Sequence, residues 1–266
     1  MRKRLLVLLA AVVAVLGVTT MRASAINYGQ VDDGAHPYGA LTALFDEEGN
    51  YVGRCSGSLI DEDVVVTAAH CTDGVAHAHI FFTEDLRGVD FATATNYGAV
   101  GTPHAMPGWT GSLTTPDTHD LAVFTLDRAL LEKKGYEYAE LAPVGFLDEM
   151  ATKRGQQDTY FTTVGYGLQQ RQPYLINQSI RMYAVSDLIS LNNALVDGYG
   201  LMTTNNPGHD RGGNCSGDSG GPILWQDTDI IVADNSVGLQ NTCKGSDFSY
   251  RTNTETAHAF ISSFLD

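Results

Sequence analysis

The stretch Asn214-Cys215-Ser216-Gly217-Asp218-Ser219-Gly220-Gly221-Pro222 sets Ser219 among glycines, where backbone N–H groups can converge on an oxyanion. Its core, Gly217 to Pro222, would arise by chance in a chain of this length with a probability of about 10⁻⁵ at average residue usage. The competing reading is loop punctuation ending in proline. A serine hydroxyl is a weak nucleophile near neutral pH and needs a base within hydrogen-bond reach. Thr67-Ala68-Ala69-His70-Cys71 supplies one: it follows the apolar run Val64-Val65-Val66, so His70 falls at the end of a strand. An imidazole titrating near roughly 6.5 is suited to take and return that proton. Asp120 opens the mostly apolar segment Asp120–Leu126 and offers a carboxylate for the other ring nitrogen. Nucleophilic attack on a carbonyl is the chemistry these three groups can do together.

The chain order His, Asp, Ser separates this set from subtilisins and α/β-hydrolases, which place the same residues differently. Thr67–Cys71, Asp120–Leu126 and Gly217–Pro222 in that order resemble the trypsin/chymotrypsin-like serine endopeptidases. Val164-Gly165-Tyr166-Gly167 looks like that family's glycine–aromatic–glycine turn, and Ser236-Val237-Gly238 looks like its substrate-binding edge strand. Tyr250-Arg251 and the tail Thr256–Leu265 match the pattern of its secreted bacterial members.

The resemblance implies an all-β fold of two antiparallel six-stranded barrels, with the active site in the cleft between them and a C-terminal α-helix. It implies a catalytic set of His70, Asp120 and Ser219, and an oxyanion hole formed by the backbone N–H groups of Gly217 and Ser219. Gly217 fits there because a side chain would crowd the approach and the backbone calls for a positive φ. In the family a newly exposed aliphatic N-terminus pairs with the aspartate before the nucleophile, which assigns an activation pair of Ile26 and Asp218. Ile26-Asn27-Tyr28-Gly29 departs from the family's start at Tyr28. The residue six positions before the nucleophile is Gly213, not an aspartate, so the expected specificity pocket of Gly213, Ser236, Val237, Gly238 and Phe248 favours a non-basic side chain, whether apolar, aromatic or small. Gly212, Gly213 and Gly238 leave that pocket open, Phe248 shortens it, and Asp210 is a candidate for restoring some basic preference.

Residues 1–25 have a basic start (Arg2, Lys3, Arg4), an apolar core from Leu5 to Val18 and a small-residue site at Ala23-Ser24-Ala25. This reads as a secretory signal peptide, its core short of the roughly 20 residues that span a bilayer. Its removal leaves 241 of the 266 residues and takes away four basic residues (Arg2, Lys3, Arg4, Arg22) and no acidic one, so the net charge goes from −15 to −19. Such acidity excludes nucleic acid as a partner and predicts a soluble, secreted chain with no membrane contact after processing. Polypeptide substrates, and proteinaceous inhibitors of the same site, are the expected partners of what reads as a monomer.

No repeat or low-complexity linker divides the mature chain. Strand signals recur at Leu41–Phe45, Val64–Thr67, Tyr160–Val164, Ile223–Trp225 and Ile230–Ala233. The expected division is residues 26–140 for an N-terminal barrel carrying His70 and Asp120, and 141–266 for a C-terminal barrel with the nucleophile and pocket. One helix is predicted over Thr256–Leu265, with Ala257, Phe260, Ile261 and Phe264 along one face.

Four cysteines in an exported chain predict two disulfides, and spacing leaves all three connectivities open. The resemblance implies Cys55–Cys71 and Cys215–Cys243. No paired C-x-x-C spacing points to zinc, and neither a metal nor a cofactor is expected. His77 and His79, two apart, read as surface residues, and His119 is expected on the face of a strand opposite Asp120. Two other functions use the same scaffold: an esterase or acyl transferase acting on a non-peptide carbonyl, and a non-catalytic binding module.

Overall fold

The computed structural model describes residues 26–127, 137–151, 158–208 and 211–265. The proposed signal peptide and Asp210 lie outside the described residues.

Fourteen strands are described: β1 (Gln30–Val31), β2 (Gly39–Phe45), β3 (Tyr51–Asp61), β4 (Val64–Thr67), β5 (His77–Phe81), β6 (Ala99–Ala105), β7 (Ala122–Leu126), β8 (Glu140–Leu141), β9 (Tyr160–Gly165), β10 (Met182–Ser190), β11 (Gly200–Thr204), β12 (Pro222–Trp225), β13 (Ile230–Gly238) and β14 (Ser246–Arg251). The first barrel closes in the order β2-β3-β4-β7-β6-β5. The second runs β10-β11-β14-β13-β12-β9, and the pairing of β9 with β10 closes it; every pairing within the two rings is antiparallel. The expected fold is therefore the observed one. Closure suits these sequences because a ring leaves no long strand edge exposed. The β-branched run of β4 is buried at every position, while β10 largely alternates buried and half-buried residues, as a strand with one face inward must.

Two short segments cross the expected division. β1 pairs with β10 of the second barrel, and β8 runs parallel to β13, so a boundary drawn at residue 140 cuts through a strand that belongs to the second barrel. The apolar interior also crosses: Leu59, Val65, Ile80 and Phe124 of the first barrel join one cluster with Val164, Leu224 and Ile231 of the second. A second cluster around Phe161, Leu201, Ile223 and Val232 fills the other barrel.

Besides the expected terminal helix there is a short one, α1 (Asp148–Ala151), and a 3-10 turn over Ala69–Thr72. The terminal helix, α2, spans Glu255–Ser262, starting one residue before the predicted span and ending three residues short of it. Thr254 caps it by accepting from the Ala257 N–H at 3.3 Å, which fixes the start one residue before Thr256. Ala257 and Ile261 bury against Tyr250 and against Val66, Met106 and Leu121 of the first barrel.

The N-terminal segment is tied down by a buried ion pair. Arg181, 3% exposed, reaches Asp32 at 2.8 Å and also donates to the carbonyls of Gly39 and Phe82. Burial alone would raise Asp32, but His36 and Arg181 hold it below the usual carboxylate range.

His77 and His79 are not free surface residues. Both are half-buried on β5, His77 stacked on Phe45 and His79 on Tyr97, whose ring centre is 3.9 Å away. Burial and then the neighbouring His77 push His79 below the usual imidazole range. Their spacing reflects an aromatic layer rather than a metal site.

Candidate active site

Strand register places the first two residues. β4 and β7 are antiparallel with Thr67 opposite Ala122, so the residues just after β4 and just before β7 emerge side by side. His70 sits in the 3-10 turn three residues beyond Thr67, and Asp120 two residues before Ala122. Asp120 accepts from the His70 backbone N–H at 2.8 Å and from its ring Nδ1 at 2.9 and 3.1 Å. The bond at Nδ1 leaves Nε2 as the ring's remaining proton acceptor. Asp120 has no exposed side chain, whereas that of His70 is 28% exposed.

The second barrel supplies a further donor: the Ser236 hydroxyl on β13 bonds to Asp120 Oδ2. Burial by itself would raise Asp120, yet the bond and charge of His70, then the Ser236 hydroxyl and the His70 backbone N–H, hold it below the usual carboxylate range. Ser236 was expected only in the pocket; its bond to Asp120 is invisible in sequence because the two lie 116 residues apart. His119 does not occupy a strand face. It precedes β7 with a left-handed φ of 51° and lies 3.3 Å from Asp117.

The nucleophile turn is pinned from both barrels. The Ser219 carbonyl accepts from Ser56 N–H of β3 at 2.8 Å, and the flanking Gly220 N–H donates to the Asn235 carbonyl at 2.6 Å. Gly217 has φ +99° and Gly220 φ +76°, the left-handed region that glycine adopts without penalty. A Cβ on Gly220 would sit 2.1 Å from Thr67 Oγ1, so the turn can lie this close to β4 only with glycine there. Neither the Gly217 nor the Ser219 N–H donates a hydrogen bond within the described residues, which leaves both available to an oxyanion.

Asp218, fully buried, accepts from Gly167 N–H at 2.7 Å and Cys215 N–H at 2.9 Å. Burial pushes its carboxyl up to about 7, opposed by those two bonds and by the charge of Arg54. Ile26 is fully buried among Ile180, Met182 and Ala184, and its neighbour Asn27 forms a bridge with Gly213.

The disulfides join Cys55 to Cys71 and Cys215 to Cys243, as the resemblance implies. The donor atoms of Cys55, His70 and Cys71 cluster, but both sulfurs are committed to the disulfide and offer no thiolate to a metal.

His70, Ser219, Ser236, Val237 and Gly238 line one cleft of about 290 Å³, together with Asn214, Asn235, Arg171 and the Cys215–Cys243 wall. Two expected pocket residues lie off it. Gly213 is buried behind the lining, where a Cβ would meet Asn205 at 2.1 Å and Asp247 at 2.6 Å. Phe248 packs away from the cleft against Val196 and Met202, because strand alternation turns its neighbour Asp247 inward instead. Sequence reasoning passed over Asp247. Fully buried, it accepts from Asn214 N–H at 2.8 Å and Asn205 Nδ2 at 2.9 Å, and burial above all raises it to about 7. Its position opposite Gly238 on β14 is the signal that could have found it.

The Ser236–Gly238 end of β13 pairs on one side with β14. On the other side β12 reaches only Asp234 and β8 only Ile231, so the cleft presents a free strand edge to an extended chain.

The Trypsin family model matches residues 28–261. Brachyurin from Leptuca pugilator is 29% identical over 186 residues, covering 64% of this chain and 70% of that relative. Among solved structures, HL collagenase shares the fold with a TM-score of 0.65 at 17% identity, covering 89% of this chain and 96% of its own. Human heparin binding protein does so with a TM-score of 0.59 at 18% identity, covering 90% and 96%. With the model matched along almost all of the described chain, the protein belongs to the trypsin family of serine endopeptidases.

Proposed function

We propose that this endopeptidase is secreted and cleaves peptide bonds through Ser219, His70 and Asp120, with a non-basic primary specificity. The bond from His70 Nδ1 to Asp120, on a ring that shares its cleft with Ser219, carries the reading. Ser219 Oγ attacks the peptide carbonyl as its proton passes to His70 Nε2, and Asp120 stabilises the imidazolium. The carbonyl oxygen becomes an oxyanion facing the N–H groups of Gly217 and Ser219. As the tetrahedral species collapses, the C–N bond breaks and the leaving amine takes the proton from Nε2. Water then attacks the acyl-enzyme, giving one proton to His70. The Ser219–acyl bond breaks, the free acid leaves, and the His70 proton returns to the serine oxygen.

No carboxylate lines the cleft among the described residues, which supports the non-basic reading. Secretion rests on the 25-residue leader and the two disulfides. Cleavage after Ala25 frees the Ile26 amine, which in this reading pairs with Asp218 and gives that buried carboxylate a cation. The burial of Ile26 and the bridge from Asn27 to Gly213 support it. A heparin-type polyanion would face a processed chain of net charge −19, so no observation favours the binding-module reading.

Ser219→Ala is expected to lower kcat on casein by about 10⁶-fold while leaving the unfolding curve in place. Wild-type-like hydrolysis by that variant would overturn the assignment. Edman sequencing of the secreted protein should read Ile-Asn-Tyr-Gly, and any other start removes the activation pair.

A further inference from the structure

Arg171, on the segment between β9 and β10, is exposed to solvent and lines the cleft that holds Ser219. Of the lining side chains it alone carries a charge at every working pH, and no carboxylate accompanies it there among the described residues. Its hydrogen bond among the described residues runs from Nη1 to the Asn241 carbonyl, at a long 3.4 Å. That contact hangs the guanidinium on the wall that ends at Cys243 and leaves most of its five N–H donors free for an incoming acceptor.

The free edge of β13 indicates which part of a substrate comes to this guanidinium. Ser236, bonded to Asp120, marks the triad end of that edge, and beyond Gly238 the chain continues to Gln240 and Asn241. A substrate laid along the edge therefore runs upstream from the cut past Val237 and Gly238 toward Arg171. With the residue before the cut opposite Ser236, the third residue upstream falls opposite Gly238. Alternate side chains of an extended chain share a face, so the third turns toward the same wall as the first, while the second turns away. The first enters the pocket, and the third passes the rim where Arg171 is exposed.

We infer that Arg171 selects substrates carrying a carboxylate, Glu or Asp, on the third residue upstream of the scissile bond. The inference rests on the endopeptidase reading and adds a specificity position to it. An ammonium at that position faces a like charge. A carboxylate on the first residue enters the pocket that the buried Asp247 backs, and gains no cation there. The processed chain carries a net charge of −19, which repels acidic peptides at long range. A gain from Glu at one position, against no gain elsewhere, is therefore the mark of a local cation.

Fluorogenic peptides that differ by a single exchange of Gln for Glu, at the first, second, third or fifth residue upstream of the cut, test this. Glu at the third is expected to raise kcat/KM by about 3-fold, through KM with kcat unchanged, as an exposed ion pair made equally in the ground and transition states should. At the other positions Glu should be neutral or worse. Arg171→Gln should abolish the preference while keeping kcat on the Gln peptide within about twofold, since the residue is exposed. Arg171→Glu should invert it, so that Lys at the third residue exceeds Gln, which a merely structural role of Arg171 would not produce. Equal turnover of the Glu and Gln peptides by the parent overturns the inference, as does a larger gain at another position or a preference that survives in Arg171→Gln. Labelling of Ser219 by diisopropyl fluorophosphate separates the two levels: a labelled enzyme without the preference refutes the role of Arg171 alone, and an unlabelled one refutes the catalytic reading together with it.

Discussion

Asp247 should make the fold weaken as pH rises. Burial above all, with the Asp218 charge, holds its carboxyl up at about 7 against an ordinary 3.8, opposed by the donors Asn214 N–H and the Asn205 amide. An unfolded chain releases this proton near 3.8, while the folded chain keeps it until about 7. Folding therefore binds a proton across that window. The stabilisation is complete below about 3.8 and is lost progressively as pH climbs to about 7. A gap of about three pH units, at about 1.36 kcal/mol each, amounts to ~4 kcal/mol. Asn at this position cannot ionise, and it keeps one oxygen for Asn214 or Asn205. The stability of Asp247→Asn relative to the parent should accordingly improve by ~4 kcal/mol between pH 4 and pH 8. Urea unfolding at several pH values, in a Ser219→Ala background to prevent self-digestion, measures this. Parallel curves for the two proteins, within about 1 kcal/mol across the range, would refute the argument.

Two other substitutions probe the ties between the barrels. Ser236→Ala removes one of the donors to a buried, charged Asp120 and is expected to cost about 2 kcal/mol of stability, read by denaturant midpoint at constant slope. No shift in the midpoint would mean that the hydroxyl contributes nothing there. Arg181→Ala leaves Asp32, whose side chain has no exposed surface, with His36 as its remaining partner, and should cost about 3 kcal/mol in thermal unfolding. Asp32→Asn combined with Arg181→Met should recover much of that loss, because no unpaired charge remains.

The geometry of the candidate site is legible in the sequence where it is written locally. The glycines around Ser219 have the backbone angles that their turn demands, and the β-branched run Val64–Val66 is the buried strand that delivers His70. Assignments that depend on which way a side chain turns were harder to read. Counting positions from Ser219 puts Gly213 and Phe248 on the cleft, but strand alternation at β14 and the packing of Asn205 put them behind it. Asp247, one residue from Phe248, is the group that turns inward. Ser236 was recognised as part of a substrate strand, and only the approach of the two barrels reveals that it also bonds to Asp120. His77 and His79 have the two-residue spacing of a strand face but no sign in the sequence that Phe45 and Tyr97 would stack on them.

The termini are exchanged: β1 is stitched into the second barrel, and α2 folds back onto Val66, Met106 and Leu121 of the first. Each barrel thus owes part of its covering to a piece of chain from the opposite end of the sequence. The two halves are clasped like interlocked hands, and neither can loosen without pulling on the groove that His70 and Ser219 both line. Loss of native structure should for that reason be a single event for the whole molecule, and proteolytic survival under harsh conditions would depend on the weaker of the two clasps rather than on either barrel by itself.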